Sequence, residues 1–123
     1  MKRHRNTHHS GKQAEQRALR FLQNYGLKHL GSNFRTPAGE IDLILQDGKT
    51  IVFVEVRSRS SNQYMETVES INQRKVDRII NASRQYLQYH GINESALCRF
   101  DIVTLTGKSH SARIEWIKNA FDA

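Results

Sequence analysis

Two runs of β-forming residues, Glu40 to Gln46 and Thr50 to Arg57, flank Asp47-Gly48, and this unit constrains the fold more than any other stretch of the chain. Aspartate and glycine both tolerate the positive φ of a tight hairpin turn, so the two runs are expected to pair antiparallel. Alternation then puts Ile41, Leu43, Leu45, Val52, Val54 and Val56 on one face, which reads as core. The other face carries Glu40, Asp42, Ile44, Ile51, Phe53, Glu55 and Arg57. A turn at 47 and 48 sets position 42 opposite 53 and 40 opposite 55, while a longer loop moves 42 toward 55. Either register gathers three acids and one arginine at the end away from the turn and leaves apolar residues at the turn end.

Helical signals lie on both sides of this hairpin. Ser10-Gly11-Lys12-Gln13 fits a capping box, which predicts a helix from about residue 11 with Ala14, Ala18, Phe21, Leu22 and Tyr25 as its apolar stripe and Gly26 as its stop. Glu15 falls one residue past the edge of that stripe. Leu27 to Arg35 reads as a strand and Thr36-Pro37-Ala38-Gly39 as a turn. Ser58 to Gln63 reads as a polar loop, and Glu66 to about His90 as a long second helix with Val68, Ile71, Val76, Ile79, Ile80, Ser83 and Leu87 near one side, ended by Gly91. Arg99 to Leu105 and Arg113 to Ile117 complete the set as strands. The order is helix, three strands, helix, two strands.

A chain of 123 residues fits one domain, here a basic flexible tail over 1–10 and a single fold over 11–123. The longest unbroken aliphatic or aromatic stretch is Ile51 to Val54, far short of the roughly 20 residues that span a bilayer. No apolar stretch of signal-peptide length follows the basic, His-rich start, so a cytoplasmic location is expected, with no membrane partner. The lone cysteine, Cys98, reads as a small buried hydrophobe. Charge is unevenly spread. Residues 1–36 hold eight Lys or Arg against Glu15 alone, whereas residues 37–123 hold eleven of each sign. The net +7 therefore lies in the amino-terminal region, as expected of an arm that contacts phosphates, although a solvated tail would show the same run.

The acids of the hairpin carry the chemistry. Two carboxylates at one sheet edge repel each other unless a cation lies between them, and hard oxygen ligands suit Mg2+ or Mn2+. Asp42 and Glu55 are the candidate ligands, with the Val56 carbonyl as a third and Glu15 reaching from the helix directly or through water. Metal-bound water loses a proton more easily and attacks a phosphodiester, which is hydrolytic nuclease chemistry. Arg57, one alternation past Glu55, would hold the scissile phosphate. Acids and bases on one strand face also arise as a salt-bridged, solvated surface. The packed turn end and the inward aim of Glu15 favour the metal.

Gly39-Glu40-Ile41-Asp42-Leu43-Ile44, followed by Val52-Phe53-Val54-Glu55-Val56-Arg57-Ser58-Arg59-Ser60, resembles the YraN-like family of small uncharacterised bacterial proteins, and the similarity runs from Gly11 through Phe121. The resemblance implies a restriction-endonuclease-like α/β fold, with a central mixed sheet flanked by helices, close to archaeal Holliday junction resolvases. In that superfamily the motif is Asp, a spacer, then Glu-x-Lys, with an acid from the first helix. By position these are Asp42, Glu55, Arg57 in place of the lysine, and Glu15. Arginine stays protonated, so it cannot take a proton from water. Lys75, in Asn72-Gln73-Arg74-Lys75 of the second helix, is the candidate for a relocated lysine. Asp101 reads as a structural strand acid paired with a nearby arginine. The resulting expectation is a magnesium-dependent nuclease acting on DNA ahead of RNA, on branched or distorted duplex. Backbone contacts would come from Lys2, Arg3, Arg5, Lys12, Arg17, Arg35 and Arg59. The alternative is a non-catalytic nucleic-acid-binding module that keeps the fold. The resolvases further imply a homodimer.

Overall fold

The computed structural model describes residues 2–59, 72–108 and 111–123, with side chains from residue 11 onward. The elements are α1 (Lys2–Asn24), β1 (Lys28–Thr36), β2 (Gly39–Asp47), β3 (Thr50–Arg59), α2 (Gln73–Tyr89), β4 (Cys98–Thr106) and β5 (Arg113–Phe121). The five strands form one sheet in sequence order, antiparallel except for β3 and β4. This is the expected α/β architecture, a central mixed sheet with a helix on each side.

The turns explain the hairpins. Thr36 Oγ1 accepts from the N–H groups of Ala38 and Gly39 at 3.0 and 3.1 Å, which closes the β1–β2 connection around Pro37. Asp47 pairs with Thr50, so the β2–β3 turn is Gly48-Lys49, and Gly48 has a φ of +63°. Ile44 therefore lies opposite Phe53, two residues along β3 from the Ile51 that a turn at 47 and 48 would set against it. This moves position 42 toward 55, as the longer-loop register would have it.

Each face of the sheet carries its own core. Under α1, Ala14, Ala18 and Leu22 pack with Leu43, Leu45, Val52, Val54, Val103 and Leu105. Under α2, Val76, Ile79, Ile80, Ala82, Tyr86 and Leu87 pack with Ile44, Ile51, Phe53 and Phe100. The turn end of the hairpin is thus buried on both sides. Ile41 departs from the simple alternation, because it joins Ile44 on the α2 face and not Leu43 on the α1 face. The slip occurs at Asp42, whose Oδ2 takes the Val56 N–H at 2.8 Å.

Four element boundaries also differ from expectation. α1 begins at Lys2, so Ser10 lies within it; neither proline nor glycine interrupts residues 2–10, and the hydrogen-bond ladder simply continues outward. Ser58 and Arg59 belong to β3, since the parallel ladder with β4 extends to Arg59 opposite Thr106. α2 starts only at Gln73, because Asn72 is extended and its side chain caps the Lys75 N–H at 2.9 Å. Val68 and Ile71 lie outside the described residues. β5 continues past Ile117 to Phe121, held by Phe100 opposite Phe121. At the end of the α1 stripe Tyr25 is exposed, its ring edge-on to Trp116. Cys98 is half-buried against the α2 core. No helix among the described residues is long and apolar enough to cross a membrane.

Candidate active site

The crossover from β3 through α2 to β4 leaves a cleft of about 540 Å3 where the amino-terminal turn of α2 passes over the ends of β2 and β3. Its acidic lining is Glu40, Asp42 and Glu55, and its basic lining is Arg74, Lys75 and Arg78. Close approach of α2 is possible because position 39 has no side chain. A methyl group built on Gly39 would overlap the backbone carbonyl of Arg78. The glycine that opens the motif is therefore a packing requirement of the cleft wall.

Asp42 and Glu55 are in hydrogen-bond contact with each other on the cleft floor, where Glu55 is 8% exposed. Burial and the neighbouring Glu55 charge push the Asp42 carboxyl up to about 7, opposed by the Val56 N–H, with a smaller push from Glu15. Two carboxyls this close in a poorly solvated place cannot both ionise cheaply, so Asp42 keeps its proton toward neutral pH. On the other side of the pair, Lys75 Nζ stands 3.0 Å from Glu55 Oε2. The lysine proposed from sequence as a relocated cation thus reaches the acid pair from the helix above it.

Glu15 does not join the pair in one cluster. It borders a separate recess with Lys12, Ser32 and Asn33 on the α1 side of β1 and β2, and its side chain bonds Asn33. Partial burial pushes its carboxyl up, Asn33 pulls it down, and Glu40 and Glu55 add smaller upward pushes. Among the described residues no three His, Cys, Asp or Glu side chains gather into a metal-holding group. Arg57 follows on β3 opposite Thr104, its guanidinium pushed down by burial and by Arg59, against the pull of Glu55 and Asp42. Arg57 Nη1 and Thr104 Oγ1 are buried polar atoms with no hydrogen-bond partner.

The other predicted nucleic-acid contacts are dispersed. Arg35 meets Glu40 at 4.0 Å at the exposed rim of the cleft. Arg59 lies in the last residue of β3, and Arg17 borders a recess on the α1 side. The side chains of Lys2, Arg3 and Arg5 fall outside the described ones. Sequence reading missed Arg74 and Arg78; their i and i+4 spacing beside Lys75 is the signal that could have placed them on one helix face.

A mixed α/β sheet with a buried acid pair at the end of its central hairpin is the class of protein that fold and cleft define. Residues 14–105 match the model described as Uncharacterised protein family UPF0102. A UPF0102 protein of Pseudomonas fluorescens is 45% identical over 116 residues, which cover 94% of each chain. One of Alkalilimnicola ehrlichii is 44% identical over 114 residues, covering 93% of this chain and 87% of the relative. One of Legionella pneumophila is 43% identical over 117 residues, covering 95% and 98%. The chain belongs to the UPF0102 family, the YraN-like family whose motifs the hairpin resembles.

Proposed function

We propose that the chain is a divalent-metal-dependent nuclease that hydrolyses phosphodiester bonds in DNA, with branched or distorted duplex as its preferred form. The observation that carries this reading is the Asp42 and Glu55 pair, two carboxyls in contact of which one retains a proton up to about pH 7. Buried negative charge is costly unless it is matched. Here one proton and one ammonium match it. A divalent ion displacing the proton matches it better, and paired carboxylate oxygens are the donor chemistry that Mg2+ and Mn2+ prefer. The residues present fit such an ion, with Asp42, Glu55 and the Val56 carbonyl as holders and Glu15 acting at longer range or through water. When bound, the ion supplies an acidified water and neutralises charge on the phosphate.

The chain's own residues do the rest. Arg57 keeps its proton and therefore binds phosphate oxygens, with Nη1 as a donor that lacks an acceptor. Lys75 holds Glu55 in place and supplies, from the helix, the ammonium that the superfamily carries on the strand. Arg74 and Arg78 make the cleft wall attractive to a polyanion. The test is cleavage of plasmid and four-way-junction DNA with magnesium or manganese by the parent, Asp42→Ala and Glu55→Ala. The expected result is activity in the parent that drops at least about a hundredfold in both variants. Equal activity in all three would mark a contaminant and end the proposal.

One observation favours a second reading, a non-catalytic nucleic-acid-binding module. Lys75 already neutralises Glu55 without any metal. That reading predicts salt-dependent binding that survives chelation and both substitutions.

A further inference from the structure

We infer that Asn33, on the edge strand β1, is a positioning residue for the acid cleft: its left-handed backbone turns Asp42 out of the sheet ladder and into the cleft. Ser32 pairs with Leu43 and Phe34 with Ile41, so Asn33 and Asp42 face each other at the step between. Positions two apart in a regular strand share a face. Here they do not. Ser32 and Leu43 border the recess beneath α1 together with Glu15, whereas Phe34 and Ile41 pack in the α2 core, the Phe34 ring 5.2 Å from that of Tyr86. Both strands therefore turn over together across this step.

The backbone identifies the strand that leads. Asn33 has a φ of +53°, and among the described residues Asn119 is the one other non-glycine residue with positive φ. Asparagine enters this region at lower cost than most residues that carry a side chain. The Asn33 side chain bonds Glu15, which pins the turned residue against α1. The consequence falls on Asp42. β2 and β3 pair as far as Leu43 and Val54. Continued by two residues, that ladder would send the Val56 N–H to the Ile41 carbonyl. The Asp42 carboxyl accepts it instead, at 2.8 Å, and lines the cleft beside Glu55.

Asn119 repeats the device at the other edge of the sheet. Its φ is also +53°, and it lies on β5 where the β4–β5 register breaks around Asp101. There the Asn119 N–H donates to the Asp101 carboxylate at 2.9 Å. Asn33 gives its side chain to Glu15 and leaves Asp42 open to the cleft. A left-handed asparagine on an edge strand thus faces an acid of the next strand twice in one sheet, once to seal it and once to aim it. The aiming of Asp42 stands on this geometry, and only its consequence for metal binding and cleavage rests on the nuclease reading.

Amide hydrogen exchange and Mn2+ titration of the full-length protein, with Asn33→Ala and Asn33→Gly, test the inference. Alanine resists positive φ and glycine accepts it. Asn33→Ala should speed exchange of the Val56 amide about tenfold while the Asn119 amide keeps its parent rate. Asn33→Gly should restore Val56 protection and be the more stable of the two in urea, the reverse of the usual order within a strand. Paramagnetic broadening of the Glu55 and Val56 amides by Mn2+ should follow suit, with a midpoint about tenfold higher in Asn33→Ala and parent-like in Asn33→Gly. Parent-rate Val56 exchange or an unshifted Mn2+ midpoint in Asn33→Ala would overturn the inference, as would a glycine variant as open at Val56 as the alanine one. Exchange that speeds equally at Val56 and Asn119 would mark general loosening and overturn it too. If the parent neither binds Mn2+ nor cleaves DNA while Val56 exchange keeps the stated order, the nuclease reading fails and the positioning role stands.

Discussion

Asp101 and Asp42 are acids in strands of the same sheet, and the fold treats them in opposite ways. Asp101, 1% exposed, accepts from Arg99 Nε at 3.1 Å on both oxygens, from Trp116 Nε1 at 2.9 Å and from the Asn119 N–H at 2.9 Å. Arg99 then continues to Asp47 at 3.0 Å. Asp42 receives one backbone donor, the Val56 N–H, and beyond it faces a second acid. A buried charge whose every lone pair is met inside the chain is part of the architecture. One left short of donors, beside a like charge and in an open cleft, is arranged for something that arrives from outside.

The sharpest way to break this contrast is to remove each acid in turn. Asp101→Ala strands the Arg99 guanidinium, the Trp116 indole N–H and the Asn119 N–H, so it should cost about 3–5 kcal/mol in chemical denaturation. A loss under about 1 kcal/mol would mean that the Asp101 contacts to Trp116 and Asn119 do not hold β5 against β4. Asp42→Asn should do the reverse. Folding raises the proton affinity of Asp42 to about 7, so the folded state is favoured while the proton is held. Stability should fall as pH rises from the ordinary carboxyl range, about 4, toward 7, and level off above. Asp42→Asn should remove that slope and gain about 1–3 kcal/mol at pH 8. Saturating magnesium should also flatten it in the parent, with apparent metal affinity climbing up to about pH 7. A parent whose stability rises across this range would contradict the account of the pair.

The same contrast shows which features were legible in the sequence. Hairpin, strand order and most core positions follow from period-two alternation and turn chemistry, which are local. Asp42, Glu55 and Lys75 were identifiable as residue types in a recognisable order. What could not be read was where the alternation would fail. Ile41 changes face beside Asp42, which takes the Val56 N–H from fourteen residues away in sequence and lies between the Ser32–Leu43 and Phe34–Ile41 pairs, where Asn33 has a φ of +53°. The Asp101 network was half visible: an acid beside Arg99 suggests a pair, but Trp116 and Asn119 enter only once β5 packs along β4. The meeting of Lys75 with Glu55 depends on the crossing of α2, which Gly39 permits. An isolated glycine opening a strand is the one local trace of that approach.

Gly39 gives the next test, smaller in effect. Gly39→Ala forces the Arg78 backbone outward, and overpacking of this kind should cost about 1–2 kcal/mol. It should also lift Lys75 from Glu55, leaving the Asp101 side of the sheet untouched. Amide NMR would read this as shifts confined to α2 and β2; shifts spread into β5 would show that the two regions are coupled.

The smallest change in stability, and the most specific readout, belongs to Lys75. Its side chain is 51% exposed, so solvent screens the ion pair and Lys75→Gln should cost less than about 1 kcal/mol. The electrostatic consequence is larger than the energetic one. Removing a cation 3.0 Å from Glu55 leaves only the Asp42 proton to offset the repulsion between the two carboxyls. The pair then holds that proton more tightly. Followed by carboxyl 13C NMR, the Asp42 midpoint should rise above its parent value of about 7 in Lys75→Gln and return in Lys75→Arg, which restores the charge but not a titratable amine. Asp101, whose donors are all elsewhere, should not respond. An unmoved Asp42 midpoint would mean that Lys75 is a passing surface contact. A restored midpoint with cleavage still lost in Lys75→Arg would assign the lysine a role that a guanidinium cannot fill, the transfer of a proton to or from the attacking water.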